Sequence, residues 1–575
     1  MRINQLTIQN YRSFADEAVI DFPNIAKPIA IIGHNNAGKS NLIDALLMVM
    51  GKKSVYGNNF SKNDFFNHNI NDDIVINAKI TDDDCLIQAD AFNKTQNIDS
   101  IRLTISSEEG FCDSNHILCD NNGKQIRLSQ SIPQSKKNNY SDEEKQAFKE
   151  CRTDGLLYFT KIKNKIPLYF IDPTNIQDEL SPKKNSILAD VMKKVKASFE
   201  KDKFPEDYKH QQWRGKTRKE VFNNYLTMVE NNALKTKELD ELVECITEEI
   251  MSQLGLDSDN FDLSLSIPDI DVFYKNLDFL LKDNDDPQKP KLPICNYGRG
   301  FSLLFIVALL KILSKSKDGG KIFIIEEPET FLHEHYQEYF YQVLCELAKN
   351  NQVIYTTHSK KFIDLFDPKT IIKLDNPDYK HTEVIQNQSE FITYPKDYAK
   401  YITSIEPNLG NLIFSDKVRI VEGSHDILTY KMVFNDVNFG LKNISIVAAF
   451  GKDGIINLIN LCKLYKIDYF AIHDWDIEKE DIDVSIEPDG SSDYASLTKE
   501  EKAQYTKNHK LLITAAGTDK IHQNKKRLEE VLGISQADKG CEAIYEKLKD
   551  LSREEIQKQY PKLIDENLLN FLEFK

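Results

Sequence analysis

Apolar positions in this chain follow two rhythms, and the order in which they alternate predicts a layered α/β architecture. Strand-like runs occupy Ile3 to Ile8, Ala18 to Phe22 and Pro28 to Gly33. After the third, Leu42, Ala45, Leu46 and Val49 recur at i, i+3, i+4 and i+7, which predicts an amphipathic helix starting near Lys39. Further strands are expected at Ile74 to Ile80 and Ile101 to Ile105. From about 134 to 290 the pattern becomes helical between charged, Asn-rich linkers. Leu188, Val191, Met192, Val195 and Phe199 mark one helix, and Leu239, Leu242, Val243, Ile246 and Ile250 another.

Sheet-like pattern returns at Lys321 to Ile325, followed by a helix around His335 to Ala348 and a strand at Gln352 to Thr357. Residues 376–415 are polar and turn-rich, then helical, and read as a connector. A second strand–helix series begins at Lys417. Its strands are Val418 to Val421, Ile444 to Ala449 and Tyr469 to Ile472, with helices from Asp426 and over Ile455 to Leu464. The expected organisation is an N-terminal lobe at 1–133, a helical insertion at 134–290 and a returning lobe at 291–395. A linker at 396–415 and a C-terminal α/β domain at 416–575 follow. The amphipathic insertion can pack on its parent domain or on a second copy of the chain.

Composition narrows this picture modestly. With 575 residues, 41% apolar and 29% charged, the chain can bury a sizeable core in several domains. A net charge of −16 argues against a surface coated in phosphate-binding lysines, although a local groove or a bound metal ion can still hold nucleic acid. Nine cysteines, with no C-x-x-C pair, suggest free thiols in a reducing compartment. The longest apolar run, Leu303 to Leu313, falls short of the roughly 20 residues a bilayer span needs. The N-terminus lacks a signal peptide's apolar core. A soluble cytoplasmic protein is the expectation.

Two stretches carry chemistry. Gly33-His34-Asn35-Asn36-Ala37-Gly38-Lys39-Ser40 is a complete G-x-x-x-x-G-K-S phosphate loop between a strand and a helix. Its backbone N–H groups face phosphate, Lys39 brings a positive charge to the outer phosphates, and the Ser40 hydroxyl can ligate Mg²⁺. The apolar strand ending at Ile325 delivers Glu326-Glu327-Pro328-Glu329 to its C-terminal edge. Glu326 is the expected metal-water residue there and Glu327 the general base. His358 ends the next strand, where an imidazole can sense a terminal phosphate. Gly298, in Asn296-Tyr297-Gly298-Arg299-Gly300 before an apolar helix, belongs to an anion cradle suited to a second nucleotide.

With Asn10-Tyr11-Arg12-Ser13-Phe14 and Thr357-His358-Ser359, these segments resemble the ABC-type ATPase heads of the SMC/RecF class. That resemblance implies that Arg12 lies near the nucleotide phosphates and that the signature of one subunit closes over another's nucleotide. Two departures stand out: the second motif begins with Glu326 in place of Asp, and the signature is not L-S-G-G. Turnover is therefore expected to be slow, or the head mainly regulatory.

The C-terminal series holds the second chemistry. Glu422-Gly423-Ser424-His425-Asp426 follows one strand, and His473-Asp474-Trp475-Asp476 follows another about 50 residues on. Carboxylates at neighbouring strand ends can converge on hard cations, Mg²⁺ or Mn²⁺, and Asp474 and Asp476 point the same way if the strand persists. The order strand–Glu–Gly–helix, then strand–Asp-x-Asp, resembles the Toprim fold. An ABC head followed by Toprim is similar to the OLD (overcoming lysogenisation defect) family of nucleases, whose relatives include the nuclease subunit of the Gabija anti-phage system. The resemblance implies an ATP-binding, metal-dependent DNA endonuclease working as a dimer or larger, with a UvrD-like helicase as a possible partner in the Gabija case. Carried onto this chain, it implies that Glu422 and Asp474 share one metal, that Asp426 helps hold a second, and that Asp476 is a further ligand. Glu529, in Leu528-Glu529-Glu530-Val531-Leu532, matches the later acidic segment, and Lys539 matches a lysine that steadies transition-state charge. Two alternatives are a non-cleaving RecF/SMC-like DNA-repair ATPase with Toprim as a docking module, and a topoisomerase-like strand transferase needing a tyrosine nucleophile.

Overall fold

In the computed structural model, the residues described are 1–55, 60–82, 88–91, 94–108, 111–126, 166–176, 180, 186–232, 237, 241, 280–281, 292–293, 298–314, 320–364, 367–376, 380–386, 412–434, 444–478, 482–488, 492–515, 518–524, 527–535, 540–564 and 566–572. They fall into two compact units, one of residues 3–166 with 354–575, the other of residues 167–353.

The first unit opens with an antiparallel sheet. Its strands lie in the order Ala18–Asp21, Arg2–Gln9, Ile74–Thr81, Ser100–Glu108 and Phe111–Cys119. Ile74–Thr81 alternates buried and partly exposed residues, as a strand with one face on a core must. The helix Lys39–Val49 packs on this sheet through Leu42, Leu46 and Val49, the positions its periodicity marked. A second set of strands differs in character. Ile29–Ile32 is buried throughout, pairing in parallel with Ile371–Asp375 on one side and Gln352–Thr356 on the other. Such uninterrupted burial is why those strands are apolar runs without alternation.

One strand here departs from expectation. Glu383–Gln386, inside the stretch expected to be a connector, pairs antiparallel with Ile371–Asp375. Its polar ends, Glu383 and Gln386, suit an edge and conceal it from a hydrophobicity reading.

The C-terminal part of the same unit is a four-stranded parallel sheet in the order Ile444–Ala448, Lys417–Val421, Asp468–Asp474, Ile521–Asn524. Helices Ser424–Val433 and Lys452–Leu464 follow the first two strands in sequence, the crossover arrangement that parallel pairing requires. Val421, Tyr430, Phe470, Ile472, Leu528, Ile544 and Leu563 build a shared apolar core. At about 1.5–3 kcal/mol for each large apolar side chain fully buried, this core is what fixes the sheet's edge in space. The last strand was not marked by pattern, because His522 and Asn524 are buried polar residues in a four-residue run.

The second unit contains Leu168–Ile171 in parallel with Ile322–Ile325, and among its described residues are the helices Ile187–Lys201, Arg218–Asn232, Arg299–Ser314 and Glu334–Ala348. Leu168–Ile171 lies within the stretch expected to be inserted helices, so that stretch also supplies a strand. The helix expected over Leu188 to Phe199 is present, capped by the Ser186 hydroxyl accepting from the Ala189 N–H. The pattern at Leu239 to Ile250 lies outside the described residues apart from Glu241.

Candidate active site

Parallel strands share one C-terminal edge, and in α/β sheets that edge is where chemistry gathers. Lys417–Val421 ends at Glu422 and its neighbour Asp468–Asp474 ends at Asp474, with Val421 opposite Ile472. The offset puts the two acids side by side: the Asp474 N–H donates to Glu422 Oε2 at 3.2 Å. Asp474 is held from two further directions. Asn524 Nδ2 donates to its Oδ1 at 3.2 Å, and the Leu528 N–H to its Oδ2 at 3.4 Å. Asp426, in the first turn of Ser424–Val433, accepts the Gly423 N–H at 2.8 Å. Its other oxygen, Oδ1, is buried with no hydrogen-bond partner. A buried carboxylate oxygen left unsatisfied costs on the order of 1–3 kcal/mol, so its retention calls for a ligand at that place.

The electrostatics agree. Burial, with Asp426 and Glu422 nearby, pushes the Asp474 carboxyl up to about 8. Burial and the Glu422 and Glu529 charges push Asp426 up to about 6, and burial raises Glu422 too, opposed by the Lys452 charge. Carboxyls forced upward by crowding are what a divalent cation relieves.

Asp476 and Glu529 reach the same edge by another route. The strand does not persist beyond Asp474. Trp475 N–H donates to Asn524 O at 2.8 Å, and Asp476 adopts a left-handed φ of 57°. The turn, and not period-2 geometry, therefore aims Asp476. Its Oδ2 lies 3.0 Å from Lys452 Nζ and its Oδ1 3.6 Å from Arg527 Nε. Glu529 Oε1 lies 2.9 Å from His425 Nδ1. No three His, Cys, Asp or Glu side chains among the described residues form a ready-made metal cage, the trio Glu422, Asp426 and Asp474 included. The acids gather at one edge, yet closing them on a cation needs side-chain rotation, at Asp476 and Glu529 and within the trio Glu422, Asp426 and Asp474.

Lys452 is the residue that sequence reasoning missed. Only 3% exposed, it points from the start of Lys452–Leu464 into the acidic edge, also donating to Gln504 Oε1 at 3.2 Å. In sequence it stands in Gly451-Lys452-Asp453, which looks like an exposed turn; the signal was its place immediately after a core strand. Lys539, the lysine expected here, lies outside the described residues.

In the same unit the phosphate loop is well formed. Lys39 Nζ donates to the carbonyls of Gly33 at 2.9 Å and His34 at 2.8 Å, bracing the loop from within. Gly38 has φ 101°, and a Cβ there would meet Thr382 Oγ1 at 2.5 Å and Ser13 Oγ at 2.9 Å, so only glycine fits. Asn35, Asn36 and Ser40 are exposed on the loop. Arg12 is near the loop's helix, though its guanidinium is engaged by carboxylates: Nη1 to Asp44 Oδ2 at 2.9 Å and Nε to Asp64 Oδ1 at 3.0 Å. His358 follows Thr357, whose N–H donates to Ile31 O at 3.1 Å, and its ring lies 6.4 Å from that of Phe414. His34 Nε2 sits 3.1 Å from Asp416 Oδ1, immediately before the strand that ends at Glu422.

In the second unit, the Glu326 N–H donates to Ile171 O at 3.0 Å, placing this acid at the edge of its own strand pair. Glu327 has φ 41°, and its Oε2 accepts from Thr330 Oγ1 at 3.3 Å. Gly298 precedes Arg299–Ser314 and its carbonyl accepts the N–H groups of Phe301 and Ser302. Arg299 stacks over Phe331 at 5.1 Å, tying this helix start to the turn after Glu327.

Fold and site together define a class: a phosphate-loop ATPase head carried in one chain with a Toprim sheet whose edge gathers carboxylates. The chain belongs to the AAA ATPase domain family, whose model matches residues 1–363, and residues 413–476 match the OLD-like Toprim domain. It is 23% identical over 545 residues to an OLD nuclease of Thermus scotoductus, covering 93% of this chain and 92% of that protein. It is 25% identical over 244 residues to the endonuclease GajA of Bacillus cereus HuB5-5, covering 37% of this chain and 35% of that one. A solved SMC head bound to the C-winged helix domain of ScpA aligns with 68% of this chain and 98% of that one, at TM-score 0.36 and 16% identity.

Proposed function

We propose that this protein is an ATP-binding, divalent-metal-dependent DNA endonuclease whose Toprim edge hydrolyses phosphodiesters under the control of the ATPase head. The observation that carries the reading is the Glu422–Asp474–Asp426 group: three crowded acids on one sheet edge, one with a buried oxygen lacking a partner. Glu422, Asp426 and Asp474 are the residues suited to hold Mg²⁺ or Mn²⁺, and Asp476 and Glu529 can swing to a second ion. A bound cation of this kind supplies an activated water and neutralises charge on the scissile phosphate. The chain's own part is to orient. Asn524 and the Leu528 N–H fix the Asp474 carboxyl, and Lys452 holds Asp476 while adding a positive charge to the edge. In the head, Lys39, Ser40 and the loop's backbone bind ATP with Mg²⁺, while Glu326 and Glu327 are suited to metal-water and general-base roles. Likeness to an OLD nuclease along nearly the whole chain supports DNA as substrate. Likeness to the endonuclease GajA over 37% of the chain supports the cutting chemistry; a part in phage defence, a homodimer or larger assembly and a helicase partner are extensions of this reading.

Purified protein with Mn²⁺ or Mg²⁺ is expected to nick or linearise plasmid, and Asp474→Ala to abolish cutting while leaving ATP binding intact. Undiminished cutting by that variant removes the Toprim edge as the active site.

A further inference from the structure

Beside the acidic edge, the loop Ala449–Lys452 behaves unlike an ordinary strand-to-helix turn. Ala449 is fully buried and Lys452 nearly so, yet Phe450 between them is 59% exposed, more than any other large apolar residue among those described. Its backbone is left-handed, with φ 53°, a conformation that costs a bulky residue on the order of 1 kcal/mol or more and that Asn or Gly would adopt freely. The strain is imposed by two hydrogen bonds to the neighbouring strand end: Ala449 N–H to Val421 O at 2.8 Å and Gly451 N–H to Glu422 O at 3.1 Å. Those bonds clip the loop to Glu422 itself, so the ring stands in solvent next to the carboxylates. Exposure and strain at one aromatic position both oppose stability, which points to function as the reason for retaining it.

From this geometry we infer that Phe450 stacks on a nucleobase of the DNA and thereby seats the adjoining phosphate at the acidic edge. The occupant follows from the surroundings. A chain of net charge −16 has little general attraction for a polyanion, and the acidic edge repels phosphate further. Stacking is indifferent to charge, and every base presents a π-face. Arg527, half exposed and 3.6 Å from Asp476, and Lys507, 3.7 Å from Asp453 in the turn after Phe450, supply cations at the same rim for the flanking backbone. The inference deepens the nuclease reading, on which it rests, by naming how the substrate is held.

The test uses the full chain, a fluorescein-labelled duplex with a single-stranded end, and Ca²⁺ in place of Mn²⁺ during binding. Phe450→Asn relieves the strained φ, so its melting temperature should equal or exceed that of the parent. Its affinity for the duplex should nonetheless fall about 5- to 150-fold, the worth of one base stack, with the slope of affinity against salt unchanged. Phe450→Trp should restore affinity, and a 2-aminopurine placed near the cut should be quenched by parent and Trp proteins but not by Asn. Asn-variant binding equal to the parent's, or a Trp variant as weak as Asn, overturns the inference. If the parent binds and cuts while the Asn variant matches it, only the stacking role falls. If Asp474→Ala still cuts while Phe450-dependent quenching persists, the active-site reading falls and the stacking role stands.

Discussion

Asp474 carries the sharpest consequence at the scale of one residue. Burial first, then the charges of Asp426, Glu422 and Asp476, push its carboxyl up to about 8 in the fold, against about 4 in the unfolded chain. Between those values the folded state holds a proton that the unfolded state has lost, so metal-free stability falls as pH rises from about 4 to about 8. Thermal melts in EDTA should therefore show Asp474→Asn more stable than the parent at pH 8, by about 2–8 °C, and flatter with pH, while plasmid cutting by the variant is expected to be lost. Mn²⁺ binding at pH 7 should release about one proton per chain, read by calorimetry in buffers of different ionisation enthalpy. The pair Lys452–Asp476 predicts coupling. Lys452→Met leaves a carboxylate without its buried partner, and cutting should fall at least about 10-fold. A double-mutant cycle with Asp476→Asn should return an interaction of about 0.5–3 kcal/mol, whereas additivity would show that the contact does nothing.

At the scale of elements, function rests on where strands stop. Glu422 and Asp474 were legible because each ends an apolar run, and parallel strands must deliver such endings to one edge. The phosphate loop was legible for a related reason, since strand, glycines and helix occur in the only order that forms it. Other features lie beyond pattern. Asp476 is aimed by a turn anchored on Asn524, in a strand too short and polar to be seen. Lys452 is buried by contacts with residues 24 and 52 positions away, which local sequence does not encode. Leu168–Ile171 was hidden in a region whose periodic segments, such as Ile187–Lys201, read as helical. The loop itself yields a prediction: Gly38→Ala puts a methyl against Thr382 and Ser13 at a positive φ, and should abolish ATP binding while metal-dependent cutting without nucleotide survives.

Within the larger compact unit, the phosphate loop and the Toprim sheet are in direct contact. His34 of the loop meets Asp416 at the root of the Glu422 strand, buried Lys373 donates to Tyr465 O at 3.0 Å, and Lys466 pairs with Glu383 at 3.1 Å. Any nucleotide that reshapes the loop pulls on a residue six positions from Glu422. Hydrogen exchange is expected to show altered protection over Lys417–Val421 when a non-hydrolysable ATP analogue binds, and Asp416→Ala should diminish that response. An unchanged strand on saturation with the analogue would show that the contact transmits nothing.

The most direct measurement of the central claim is Mn²⁺ binding to the nucleotide-free chain by titration calorimetry. The parent protein and a Lys39→Ala variant, crippled only in the phosphate loop, should take up metal alike, and Asp474→Asn should lose that uptake. Equal stoichiometry and affinity in Asp474→Asn would contradict the assignment of the Toprim edge as the metal centre.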